Sequence, residues 1–389
     1  MTMTLAEGRF ARFSQIGWWN QELLARARVL VIGAGALGNE VVKNLALLGV
    51  GNLVIADMDT IELSNLSRSV LFRAEDEGKA KAEVAAAAAR SLYPDMKIQA
   101  VVVNVLAGLG LGYFRWAHVV VGALDNREAR VFVNSRCAQL GKAWFDGGIE
   151  ALNGVVRGFS APDTACYECT MSKQDWEQIE KRRSCSLLAR QALAQGTMPT
   201  TPTTASVIGG MQAQELVKFL HHGHDESALL GKGFFFEGLR HSSYPISYRI
   251  NPECPWHEPA CSVESCPQFS SQTVIDELWS FAEERLGGLD GLDFSREMVE
   301  RLTCPSCGDE RQLYKALDHL SEADAPCPEC GQECFPALFH GVHASSAARA
   351  QTPAQLGLPR WDIIWARRGE EYLGLELSGD RPEELGVPA

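Results

Sequence analysis

No stretch of this chain reaches the ~18 uninterrupted apolar residues that a bilayer-spanning helix needs. Nor does the start, MTMTLAEGRFARF, place a basic segment ahead of an apolar core, the pattern of an export signal. The expectation is a soluble, cytoplasmic protein without a membrane partner. Positive charge is the scarcer sign: 36 Lys and Arg stand against 49 Asp and Glu, a formal net of −13. The whole-molecule field therefore repels phosphate backbones and anionic lipid surfaces, which argues against a nucleic-acid partner while leaving a local basic patch possible. No solenoid period recurs; two short C-P-x-C-G pieces are the only duplication. What is present is 389 residues, 46% apolar and 22% charged, enough for one large globular domain with appendages. Twelve cysteines in a chain this long do not suggest a small secreted disulfide scaffold. Several form C-x-x-C pairs, which points to metal in a reducing compartment.

Residues 29–57 read VLVIGAGALGNEVVKNLALLGVGNLVIAD: an apolar run, a glycine turn, an amphipathic stretch and a second apolar run ending in acid. That pattern predicts strand, turn, helix and strand. The alternation continues with helix at 79–93, strands at 97–105 and 118–124, helix at 127–141 and strand at 142–149. Strands this uniformly apolar imply an α/β fold with a mainly parallel sheet covered by helices on both faces. A further strand is expected at 154–160 and one long helix at 207–223, with a polar, cationic stretch containing KRRS (181–184) between them. Beyond residue 250 the texture turns rich in Pro and Cys, and the main domain is expected to span 1–265. A helical segment and zinc ribbon module are expected over 270–343. Residues 344–389 read as a Pro/Ala/Ser linker and a hairpin tail around RRGEE.

Gly33, Gly35 and Gly38 form G-x-G-x-x-G after a strand and at a helix start, where bare backbone can approach a phosphate. Asp57 ends the next strand, placed to accept ribose hydroxyls. This much does not separate a dinucleotide from ATP. Asp59, Asn65 and Arg68 follow, and Lys81 and Asp125 are expected at the same mouth of the sheet. A hydride-transfer site has little use for several cations and a spare carboxylate. Nucleotidyl transfer uses both, with Arg and Lys neutralising the reacting phosphates and a carboxylate holding Mg²⁺.

The motifs RFARF (9–13), GAGALG (33–38), GVGNLVIADMDTIELSNLSRS (49–69), GKAK (78–81), LDN (124–126), CYEC (166–169) and VIGGMQAQELVK (207–218) fall in one order. In that order they resemble ubiquitin-activating enzymes and the ThiF/MoeB-type sulfur-carrier adenylyltransferases, over roughly residues 9–260. The resemblance implies that Arg12 reaches the ATP phosphates of the opposite subunit, hence a homodimer. It implies nucleotide and triphosphate contacts at Asp59, Asn65, Arg68 and Lys81, and a Mg²⁺-associated carboxylate at Asp125. Ser69 departs from the family, where Gln usually follows the Arg.

Cys166 and Cys169 have the spacing of two thiolates at adjacent corners of a tetrahedron. Cys254 and His257 offer the same offset, and the resemblance implies that they complete a Cys₃His zinc site. Cys261 and Cys266 remain alternatives for the fourth ligand. Cys304, Cys307, Cys327 and Cys330 form two knuckles with about 19 residues between them, a zinc-ribbon signature. Cys137 and Cys334 read as spare or buried thiols. Cys185 stands outside any pair and follows Lys181, Arg182 and Arg183, whose charge favours a thiolate able to attack an acyl adenylate. It falls where the family carries its reactive cysteine, in a crossover stretch of about 180–206. HHGH (221–224) reads as a solvated turn, and Trp18 and Trp19 as packing or dimer-contact residues.

The expectation is ATP-dependent activation of a ubiquitin-like protein at its C-terminal glycine, followed by thioester formation on Cys185 and possible passage to an E2-like carrier. The nearest alternative is a sulfur-carrier adenylyltransferase that stops at the acyl adenylate; a non-catalytic zinc-ribbon adaptor is the alternative of another class. ATP, Mg²⁺ and Zn²⁺ are the implied cofactors.

Overall fold

In the computed structural model, which describes residues 8–184, 199–225 and 228–385, the apolar run RVLVI forms the strand around which the sheet is built. The elements of the first part are α1 (Gln21–Arg26), β1 (Arg28–Ile32), α2 (Ala36–Leu48), β2 (Asn52–Ala56), α3 (Lys81–Leu92), β3 (Lys97–Val101), α4 (Val105–Gly108), α5 (Leu111–Trp116), β4 (Val119–Gly122) and α6 (Arg127–Gln139). They continue with β5 (Ala143–Glu150), β6 (Asn153–Phe159), α7 (Lys173–Ser184), α8 (Pro202–His222), β7 (Lys232–Glu237) and β8 (Ser242–Ser247). The sheet order is β3-β2-β1-β4-β5-β6-β7-β8. β3 to β5 run parallel, and β6, β7 and β8 are added antiparallel. One face packs on α2, α3 and α8 through Val41, Leu45, Ala82, Ala85, Ala213 and Leu216; the other packs on α5 and α6 through Phe114, Trp116 and Val133. α8 starts earlier than the apolar pattern suggests, because Thr201 caps it by accepting from the Thr204 amide and Pro202 suits the first turn. Strand order reverses between β1's neighbours β2 and β4, which opens a crevice at the carboxyl ends of the strands.

The remaining elements are β9 (Ser262–Ser265), α9 (Ile275–Leu286), β10 (Gly291–Thr303), β11 (Glu310–Ala316), β12 (Phe335–Val342), β13 (Ile363–Arg368) and β14 (Glu371–Glu376). They form a second sheet, ordered β11-β10-β13-β14-β9 with β12 also on β10. The hairpin expected around RRGEE is present as β13 and β14. It is not a separate tail, because β13 pairs with β10 and Ile364, Ala366 and Leu375 share one core with Leu278, Trp279 and Leu292. Segments 270–343 and 344–389 are thus one unit. That unit is fixed to the first: Trp361 is fully buried against Tyr113, with ring centroids 4.8 Å apart. Its carbonyl accepts from the Gly112 amide (2.8 Å), and buried Asp362 accepts from the Leu111 amide and the Ser295 hydroxyl (2.9 Å each). Among the described residues no helix is long and apolar enough to cross a membrane.

Candidate functional site

The glycine turn leaves β1 at Gly33, whose φ of 97° only glycine adopts without strain. A Cβ at Gly33 would come closer than 3 Å to the Ala123 carbonyl oxygen, and one at Gly38 closer than 3 Å to the Gly33 carbonyl oxygen. Both glycines therefore serve the close packing of turn, helix and β4. Gly35 differs: a Cβ there meets nothing within 4 Å. It caps α2, so its backbone faces open space at the positive end of the helix dipole, where an anion is favoured.

Asp57 follows β2 and closes the turn from the side, accepting from the Ala34 amide (2.6 Å) and the Asp59 amide (2.8 Å). Burial raises its pKa above the ordinary carboxylate value, opposed by those two amides and by the charge of Lys81. Lys81 opens α3 and pairs with Asp59 at 2.8 Å. The Lys81 amide donates to the Asp59 carbonyl (2.9 Å), so the segment after β2 and the start of α3 are held together. Asn65 is buried and accepts from the Glu62 amide (3.0 Å). Arg68, half-buried, donates to the Ser64 carbonyl (2.8 Å), and no carboxylate pairs with it among the described residues. Ser69 is buried. Asp125 lies beyond β4, exposed, accepting from the Asn126 side chain (3.0 Å) while Asn126 caps α6.

Four positions missed by the sequence reading, Asn39, Arg130, Asp146 and Arg157, brace this mouth. Asn39 of α2, fully buried, donates to the Ala34 and Gly35 carbonyls (2.7 and 3.0 Å) and accepts from the Leu71 amide (2.8 Å). It staples the glycine turn to the segment that bears Arg68. Asp146, also fully buried, is paired with Arg130 (2.8 Å) and with Arg157. A lone acid inside the apolar strand KAWFDGGI was the available signal, since a buried charge needs a partner.

Arg12 is not brought to this mouth. Its segment is anchored by Phe10, which packs edge-on to Tyr93 (5.7 Å) and lies against Gly49 at the C-terminal end of α2. Gly35 sits at the other end of that helix, about 20 Å away for 13 residues. Trp18 and Trp19 pack against His221 (5.2 and 5.5 Å). His221 accepts from the Asn20 amide at Nε2 (2.9 Å), with Nδ1 2.8 Å from the Val217 carbonyl, so it brackets the N-terminal segment onto α8 where a solvated turn was expected.

The structure gathers both sets of expected metal ligands. The donor atoms of Cys166, Cys169, Cys254 and His257 all lie within 4.8 Å of one another, as do those of Cys304, Cys307, Cys327 and Cys330. His257 Nδ1 lies 3.1 Å from the Pro162 carbonyl, and Nε2 lies 3.0 Å from Cys169 Sγ. A proton on Nδ1 shared with that carbonyl leaves Nε2 as the ligand atom. Neither Cys261 nor Cys266 joins the group; Cys266 is buried in the second core. Cys137 is buried too, and burial pushes its thiol up.

Cys185 lies outside the described residues. The helix leading to it, α7, is braced at its start: Arg127 of α6 pairs with Asp175 (3.0 Å) and bonds Gln178 (3.0 Å), two positions from Asp125.

Known proteins place this geometry. Residues 8–256 match the ThiF family. The chain is 32% identical over 267 residues to a SAMP-activating enzyme E1 of Haloferax volcanii, covering 66% of this chain and 91% of that protein. It is 33% identical to a sulfur carrier protein adenylyltransferase of Thermus thermophilus, covering 62% and 86%. A ubiquitin-like modifier-activating enzyme 5 of Dictyostelium discoideum is 27% identical, covering 60% and 62%. Among solved structures, E. coli MccB with ATP shares the fold, with a TM-score of 0.54 at 21% identity over 66% of this chain and 75% of that one. With its glycine turn, its acidic strand end and its cation-lined crevice all inside the matched region, the chain belongs to the ThiF family.

Proposed function

We propose that this chain adenylates the C-terminal glycine of a ubiquitin-like or sulfur-carrier protein, using Mg·ATP bound in the crevice beyond β1, β2 and β4. The observation that carries the reading is Gly35, which leaves an open approach to the α2 amides beside Asp57 while its two neighbours in the motif are filled by protein. A carboxylate oxygen of the partner attacks the α-phosphorus, the bond to the β-phosphate bridge breaks, and pyrophosphate leaves with the electron pair. The α2 amides hold phosphate oxygens, and Asp57 is placed for ribose hydroxyls. Arg68 and Lys81 offset charge that builds on the leaving pyrophosphate. Asp125 would hold Mg²⁺, which when bound supplies further charge neutralisation. The segment that carries Arg12 is anchored at the far end of α2 from its own glycine turn, which supports a homodimer in which Arg12 serves the other subunit's site.

The two cysteine groups fit zinc. Sulfur pairs at 3.5–3.7 Å are far from a disulfide bond and close to the ~3.8 Å edge of a tetrahedron with 2.3 Å zinc–sulfur bonds. Free thiols suit a reducing, cytoplasmic setting.

In the second step the Cys185 thiolate attacks the acyl carbon and AMP leaves, giving a thioester that an E2-like carrier would accept. The relative from Thermus thermophilus favours a second reading, in which the acyl adenylate passes directly to sulfur transfer. Intact mass of enzyme and candidate partners after incubation with Mg·ATP tests both. A thiol-sensitive enzyme–partner adduct that is lost in Cys185→Ala supports the thioester, and a partner carrying only AMP supports the second reading. Neither product with a verified partner refutes adenylation.

A further inference from the structure

The mechanism above leaves Arg130 and Asp146 without a task, yet they form a buried ion pair directly beside it. Asp146 has no exposed side-chain surface and Arg130 little. The Arg130 guanidinium makes three connections: Nε to Asp146 Oδ1 (2.8 Å), and Nη2 to the Leu124 carbonyl (2.5 Å) and the Gly147 carbonyl (3.0 Å). Leu124 immediately precedes Asp125, and Asp146 lies opposite Gly122 in the β4–β5 register. One side chain of α6 thus ties the turn after β4 to the middle of β5. Arg157 bonds the other oxygen of Asp146, so the carboxylate cannot rotate away. From the opposite face Gln212 of α8 donates to the Gly122 and Phe145 carbonyls (2.9 and 3.2 Å). The Asp125 carboxylate itself is exposed and is held only through its neighbour Asn126. Its direction is therefore set by the backbone that Arg130 restrains.

We propose that Arg130 is a positioning residue for adenylation: by fixing the Leu124 carbonyl it sets the direction in which Asp125 presents its carboxylate to the cation of Mg·ATP. This rests on the Mg²⁺ role given to Asp125 above. If the Leu124–Asp125 peptide is released, it can rotate, and the carboxylate leaves its line without any change in the glycine turn or Asp57.

The test is a Mg²⁺ titration of ATP–pyrophosphate exchange with the full chain and a candidate partner, alongside nucleotide binding measured without Mg²⁺. Arg130→Lys keeps the charge beside Asp146 but cannot reach Asp146, Leu124 and Gly147 at once. It should raise the Mg²⁺ concentration for half-maximal exchange about 10–100-fold, the usual effect of losing an outer-shell support, with Mg²⁺-free nucleotide binding unchanged. Arg157→Lys disturbs the same carboxylate without touching Leu124 and should leave the Mg²⁺ profile alone. Arg130→Gln is the second variant, expected to shift the profile in the same direction. An unchanged profile in Arg130→Lys, equal shifts in the Arg130 and Arg157 variants, or parallel loss of Mg²⁺-free binding would overturn the proposal. So would failure of both Arg130 variants to fold, which would make the pair structural. Asp125→Ala separates the two claims: unaltered exchange there removes the Mg²⁺ role itself, whereas lost exchange there with a normal Arg130→Lys profile removes only this inference.

Discussion

A single methyl group placed at two glycines of one motif should have opposite consequences. In Gly38→Ala the new Cβ lies closer than 3 Å to the Gly33 carbonyl oxygen, so α2 must back away from the turn. Alanine gains about 1 kcal/mol in helix propensity, but overpacking against fixed backbone typically costs 1–3 kcal/mol, and the loss of turn and cap geometry adds to it. A net destabilisation of about 2 kcal/mol is expected. In Gly35→Ala the Cβ meets no protein atom within 4 Å and the backbone φ of −72° suits any residue, so the fold loses only the small N-cap preference for glycine, under about 1 kcal/mol. The methyl instead occupies the space through which phosphate reaches the α2 amides. Losing one or two charge-assisted hydrogen bonds costs roughly 3 kcal/mol, about 100-fold in ATP affinity. Denaturant titration and calorimetric ATP binding on both variants make the comparison. Near-wild-type ATP affinity in folded Gly35→Ala, or a stability loss in it as large as in Gly38→Ala, would refute this division of labour.

Three further outcomes follow from the same geometry. If Arg12 serves the opposite subunit, Arg12→Ala and Asp125→Ala should each be inactive alone, whereas their mixture after subunit exchange should recover about a quarter of wild-type exchange, because half the dimers then carry one intact site; no recovery in verified mixed dimers argues against action across the interface. Metal analysis of protein purified without chelator should give about two zinc per chain, falling to about one in His257→Ala with a lowered thermal midpoint; two zinc in that variant would point to another fourth ligand. Trp361→Ala, at a site with no exposed surface, should cost about 3–5 kcal/mol and loosen both units together, read as one unfolding transition at lower denaturant; an unfolding midpoint like that of the wild type would contradict the tight join.

The parallel core of the first sheet was legible because β1, β2 and β4 are almost wholly apolar runs bounded by glycine or acid, whereas β7 and β8 at its antiparallel edge were not anticipated. β1, α2 and β2 fall where RVLVI, ALGNEVVKNLALL and NLVIA sit. The second sheet was not, because its order depends on contacts far apart in the chain: β9 pairs with β14, and Asp362 bonds an amide 251 positions away. Nothing local in PRWDIIW tells a strand inside a sheet from a hairpin at the end of a chain. The glycine motif marked its position but not its division, since whether a glycine faces protein or open space depends on Ala123 and on the fold around it. The choice of His257 over Cys261 and Cys266 needed three dimensions too, because all three have ligand chemistry and only His257 is carried back to Cys169 by the turn after Cys254.

Partner-dependent ATP–pyrophosphate exchange tests the central claim most directly, because exchange requires reversible attack of a carboxylate on the α-phosphorus and needs neither Cys185 nor sulfur transfer. With a protein ending in glycine as partner, the wild type and Cys185→Ala should exchange alike, and folded Asp125→Ala should not exchange. Exchange at the wild-type rate in folded Asp125→Ala, or none in the wild type with a partner shown to bind, would contradict adenylation at this crevice.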